Sequence, residues 1–107
     1  MVRVPVARIL VIDDDPEVVD TLVTYLCEEG YGVSGALTSD EGLKSVILSR
    51  PDLVLLDVLL PGGMNGIEVL KRIRSINPTA KVIMVTGNTD LSFAKTPSGG
   101  KWLICRL

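Results

Sequence analysis

The chain contains no histidine. That removes imidazole as a general base, as a nucleophile and as a metal ligand, and with it the usual zinc sites. Cysteine is nearly absent too. Cys27 and Cys105 make neither a disulfide framework nor a thiolate metal motif, and a reducing, cytoplasmic setting fits that usage. Aromatic residues are 4% of the chain against a hydrophobic fraction of 47%, so any core must be aliphatic. There is no basic run and the net charge is -2, a balance that argues against nucleic acid as a direct partner. No apolar stretch is long enough to span a bilayer, so no membrane partner is expected. Arg8 and Asp13 to Asp15 interrupt any signal-peptide core near the N-terminus.

What remains is a chain of 107 residues, the size of one small domain over 1–107. Ala7 to Ile12 is a short aliphatic run that reads as a buried strand. Asp13-Asp14-Asp15-Pro16 ends it, and a capping carboxylate followed by proline starts a helix. Val19, Leu22, Val23 and Leu26 give that helix one apolar face, and Gly30 stops it. Tyr31 to Ala36 predicts a second strand. Thr38-Ser39-Asp40-Glu41 has the form of a capping box and opens a second helix, with Leu43, Val46 and Ile47 inward and Pro51 closing it. Leu53 to Leu56 predicts a third strand. A third helix runs from Gly66 to about Ile76, with Val69, Ile73 and Ile76 on one face and Lys71, Arg72 and Arg74 mostly outside. Lys81 to Thr86 is the fourth strand.

Strands and helices alternating at short connections predict an α/β fold: a doubly wound parallel sheet in three α/β/α layers. If the strand order is 2-1-3-4-5, the first and third strands are neighbours and the switch point lies between them. Leu53 to Leu56 is continuous apolar sequence without alternation, as in a strand buried on both faces. Asp57 follows it directly. A carboxylate there is either a loop acid that caps a neighbour or a group held at the sheet's C-terminal edge, where ligands of open α/β sheets bind. In that strand order Asp13 and Asp14 end the first strand, Asp57 ends the third and Thr86 ends the fourth. Three carboxylates and a hydroxyl then meet at one spot. By itself Asp13-Asp14-Asp15 is an ordinary acidic helix start. Beside Asp57 it becomes a cluster that must protonate one member or bind a cation. Carboxylate oxygens without imidazole or thiolate favour a hard ion, Mg²⁺ above all.

Ile9 to Pro16, Asp52 to Pro61 and Lys81 to Thr86 together resemble the receiver domain of bacterial two-component response regulators, over residues 7 to about 90. The resemblance implies the flavodoxin-like order 2-1-3-4-5 with the last helix missing, and it implies that Asp57 accepts a phosphoryl group from a sensor histidine kinase or a phosphotransfer protein. It implies that Asp14, Asp57 and the backbone carbonyl of Leu59 ligate Mg²⁺, with Asp13 acting through water. It implies that Thr86 is the switch hydroxyl, and that a downstream protein target reads the altered surface.

The chain departs from that pattern at its end. Receivers usually carry a lysine at the end of a fifth strand, a position that falls just beyond Leu107. Arg106 stands nearest to it, and Trp102 nearest the usual aromatic switch position. Residues 91–107 are expected to be a divergent or truncated tail. The alternative is that Gly99 to Arg106 forms a shortened turn and fifth strand. No output domain is expected after Leu107. Pro61-Gly62-Gly63-Met64-Asn65-Gly66 carries one glycine more than the common loop, as in receivers attached to hybrid sensor kinases. Two further functions stand beside the phosphoacceptor. One is a pseudo-receiver, an interaction module without phosphoryl turnover. The other is a Mg²⁺-dependent phosphatase of the haloacid dehalogenase type, which normally needs a second aspartate where Leu59 stands.

Overall fold

The computed structural model describes residues 7–57, 60, 65–86 and 102–106. In chain order the elements are β1 (Arg8–Ile12), α1 (Pro16–Glu28), β2 (Gly32–Ala36), α2 (Ser39–Ser49), β3 (Leu53–Asp57), α3 (Gly66–Ile76), β4 (Lys81–Thr86) and β5 (Trp102–Arg106). All strand pairs are parallel, in the order β2-β1-β3-β4-β5. Each helix start has a side-chain cap, which satisfies a backbone N–H the helix itself leaves unpaired. Asp15 accepts from Glu17 N–H at 3.0 Å, Thr38 from Glu41 N–H at 3.1 Å and Asn65 from Glu68 N–H at 3.0 Å.

The step from β1 to β2 crosses the sheet in one direction, and the steps from β2 to β3 and β3 to β4 cross it in the other. Right-handed crossovers therefore put α1 on one face and α2 and α3 on the opposite face. Packing agrees. A side chain at Gly35 of β2 would collide with Val19 of α1, and one at Gly42 of α2 would lie 2.5 Å from Ile12 Cδ1. The rows Leu10–Val54–Val82 and Ile12–Leu56–Met84 face α2 and α3. With Val46, Val69, Leu70 and Ile73 they make one buried aliphatic cluster. Each such side chain contributes about 1.5–3 kcal/mol relative to exposure.

The other face is less closed. Ile9 and Val11 are buried beneath α1, but Leu53, Leu55 and Ile83 are half-buried, and α1 has no fully buried residue. Its expected inward residues Val19, Leu22, Val23 and Leu26 are all half-buried. The second helix differs from expectation at Ile47, which is 57% exposed. The stripe of α2 against the sheet runs through Gly42, Leu43 and Val46, and Ile47 falls outside its width. Ile76 likewise ends α3 in an exposed position. The tail differs as well. Trp102 to Arg106 are a strand of five residues paired with β4, so at these positions the fifth-strand alternative replaces the divergent tail.

Candidate functional site

The site forms at the C-terminal edge of the sheet, between β1 and β3, where the chain's direction of winding reverses. That crevice is where ligands of open α/β sheets bind. Val11 pairs with Leu55. One pleat further on, Asp13 and Asp57 share the same side and lie at the rim. Ligand oxygens of Asp13, Asp14 and Asp57 all lie within 4.8 Å of one another. Three residues expected to converge are thus brought together.

Their environments are unequal. Asp13 is 8% exposed, Asp14 is exposed and Asp57 is half-buried at the end of β3. Backbone bonds hold Asp13 in place. Its N–H donates to the Ala36 carbonyl at 3.1 Å, and its carboxylate accepts from the Asp15 N–H at 3.0 Å. Burial pushes the Asp13 carboxyl above the usual carboxylate range, and the neighbouring charges of Asp14 and Asp15 push the same way. The Asp15 N–H opposes the rise without cancelling it. The Ala36 contact was not legible in advance, because a backbone carbonyl leaves no mark on residue type.

Thr86 ends β4 at the same edge, one residue beyond Val85, the register partner of Asp57. Arg106 pairs with Thr86. Trp102 pairs with Val82 at the far end of β5, so it does not stand beside the acids. Leu59, the expected carbonyl ligand, lies outside the described residues, as does the glycine-rich loop at 61–64. The donor set is oxygen alone, with one buried carboxyl that resists ionisation. That chemistry fits a small hard dication, which would relieve like charges repelling by about 3.5 kcal/mol per close pair at an effective dielectric of 20.

A doubly wound sheet with carboxylates gathered at its switch point, and with no glycine fingerprint after β1, is built for a cation or a phosphoryl group rather than for a dinucleotide. The model of the response regulator receiver domain matches residues 9–97, and the chain belongs to that family. Receiver domains are phosphorelay signalling modules of two-component systems, and that is the function class of this chain.

Among curated relatives it is 42% identical over 83 residues to the DNA-binding response regulator MtrA of Mycolicibacterium smegmatis, covering 78% of this chain and 36% of that protein. It is 34% identical over 83 residues to the transcriptional regulatory protein DltR of Streptococcus agalactiae, covering 78% and 37%. Among solved structures it resembles a CheY-like response regulator receiver domain protein of Methanospirillum hungatei, with a TM-score of 0.79 and 36% identity over 91% of this chain and 79% of that one.

The chain thus spans about a third of the length of these curated relatives. Their names correct one expectation. The acidic balance argued against direct contact with nucleic acid, yet the MtrA relative is a DNA-binding regulator. The charge of one module does not report what a longer relative touches. Among the described residues no helix is long and apolar enough to cross a membrane.

Proposed function

We propose that the domain is a phosphoacceptor: Asp57 takes a phosphoryl group from a phosphohistidine on a sensor kinase or phosphotransfer protein. The convergence of Asp13, Asp14 and Asp57 at the switch point carries this reading. An Asp57 carboxylate oxygen forms a bond to phosphorus, the P–N bond breaks, and its electron pair stays on the imidazole nitrogen, which takes up a proton. Asp13, Asp14 and Asp57 are the residues to hold Mg²⁺. When bound, that ion neutralises phosphoryl charge and helps orient the reacting groups. Asp13 is anchored by the Ala36 carbonyl and the Asp15 N–H, so its carboxylate reaches the rim without reorganisation.

Thr86 is the hydroxyl suited to a phosphoryl oxygen, on the strength of its place at the end of β4. Arg106, its register partner, is the nearest cation on β5, but a planar guanidinium does not replace an ammonium. The reading takes 1–107 as one cytoplasmic receiver domain. Joined to an output domain, as in the MtrA relative, such a receiver would regulate DNA binding, as that relative's name suggests.

Intact mass after incubation with acetyl phosphate and Mg²⁺ tests it. One phosphoryl group should add, should be released by hydroxylamine as an acyl phosphate is, and should be absent from Asp57→Asn. Label that survives Asp57→Asn assigns another acceptor. No label on the folded wild type favours a pseudo-receiver.

A further inference from the structure

Each helix in this fold returns antiparallel to the strands, so α1, α2 and α3 all end at the sheet's N-terminal edge, opposite the acids. Two unlike surfaces meet there. The first is the last turn of α1. Tyr25, Glu28 and Glu29 are spaced i, i+3 and i+4 and share a face. Tyr25 is 59% exposed, and both glutamates are exposed. The two carboxylates stand at the negative end of the helix dipole, with no basic residue in that turn. This placement is unfavourable for the isolated chain.

The second surface is a concavity of about 610 Å³ lined by Ala7, Pro51 and Leu53 and by the polar side chains of Arg50, Asp52, Asn77, Thr79 and Lys81. Its one carboxylate, Asp52, accepts the Arg8 backbone N–H at 2.9 Å. The Asn77 side-chain oxygen accepts from the Thr79 hydroxyl at 2.8 Å, leaving its amide group as a donor. Arg50 and Lys81 are exposed, and no ion pair engages them or Glu28 and Glu29 among the described residues. Near the ends of α2 and α3, Leu48 is 83% exposed, and Ile76 is exposed too.

We propose that this edge is a self-association surface: the Tyr25–Glu28–Glu29 turn of one copy docks at the Arg50–Lys81 concavity of a second copy, and the reverse. At about 610 Å³ the concavity has volume enough for a phenol ring. The carboxylates on either side of that ring meet the two cations, and the unfavourable charges at the end of α1 gain partners. Both surfaces lie on the same edge of the sheet, the turn on the α1 side and the concavity at the starts of β1, β3 and β4. A two-fold axis between them makes both contacts at once and closes the assembly as a dimer. The surface owes nothing to the acid cluster at the opposite edge, so it stands or falls separately from the phosphoacceptor reading.

Sedimentation velocity of the chain over a concentration series, at low and at high salt, tests this. A concentration-dependent dimer that weakens with salt is expected. Glu28→Lys with Glu29→Lys, and separately Arg50→Glu with Lys81→Glu, should each weaken association by about tenfold or more, since several exposed pairs turn repulsive. An equimolar mixture of the two variants should restore it, because both contacts become complementary again. That recovery also shows both variants to be folded. Acetyl phosphate labelling should be unchanged in either variant. A chain that stays monomeric at every concentration overturns the proposal. So does a dimer indifferent to both charge reversals, or a mixture that fails to recover.

Discussion

The row Ile12–Leu56–Met84 and the rim just beyond it are neighbours on the same strands and differ in almost everything else. All three apolar residues have 0% exposure. One residue later β1 and β3 carry Asp13 and Asp57, on the opposite side of the pleat, with Asp14 alongside. The row contributes stability by burial. The rim opposes it, because carboxylates within 4.8 Å repel one another and Asp13 is taken out of water. A single step along a strand thus separates the part of the sheet that holds the fold from the part available for chemistry. The backbone register is common to both, so a rigid interior positions the acids.

The largest effect should come from breaking the interior. Leu56→Ala removes a side chain from a site with no water access and should cost about 2–5 kcal/mol in urea unfolding. Leu55→Ala, on the half-covered face beside α1, should cost less than half as much, because the site is already part-hydrated and leaves a smaller cavity. Equal losses at the two positions would mean that the two faces of the sheet are equally packed.

Much of this contrast could be read from residue order, and some could not. Leu53 to Leu56 announced a strand, but burial on both faces was not met: Val54 and Leu56 are buried and Leu53 and Leu55 only half-buried. Asp57 stood out as a carboxylate directly after an apolar run. Thr38 and Asp15 marked helix starts through their capping chemistry, and both caps are present. Periodicity gave α1 an apolar face but not what covers it, since cover depends on which other elements share that side of the sheet. Ile47 failed for a related reason: a helical stripe is defined to within about one residue in seven. The fifth strand was hidden by Pro97, Gly99 and Gly100, which weaken any local signal, whereas pairing with β4 is a tertiary property. Asp13 and Asp14 looked alike in local sequence. Only the turn after β1 buries Asp13 and leaves Asp14 exposed.

Sharpening the rim gives intermediate effects. Mg²⁺ should raise the unfolding free energy of the wild type by about 1.4 kcal/mol at ten times its dissociation constant, and the thermal midpoint with it. Asp14→Ala should remove most of that gain. It should also stabilise the metal-free chain, by roughly 0.5–1 kcal/mol, since exposure of Asp14 screens the repulsion it relieves. Titration of Mg²⁺ against thermal unfolding of both proteins measures the two effects. An unchanged Mg²⁺ response in Asp14→Ala would remove that residue from the ligand set.

The smallest effect concerns protons on Asp13 in the metal-free chain. Burial, with Asp14 and Asp15 nearby, raises its carboxyl above the ordinary carboxylate value of 3.8. The folded state therefore binds this proton more tightly than the unfolded state does. By linkage, the resulting stabilisation is fully present below the unfolded value and is lost as pH rises through the raised folded value. Asp13→Asn cannot ionise, so it keeps its stability across that window. The difference in unfolding free energy, variant minus wild type, should grow in the variant's favour as pH rises from about 3.5 into the region above the usual carboxylate range, then level off. Urea unfolding in chelator at a series of pH values measures it, and using the difference cancels the acid response of every other carboxylate. A difference that stays flat would show that Asp13 ionises in the fold as readily as in water. A difference that moves toward the wild type would show that the Asp15 N–H outweighs burial and the two neighbouring charges.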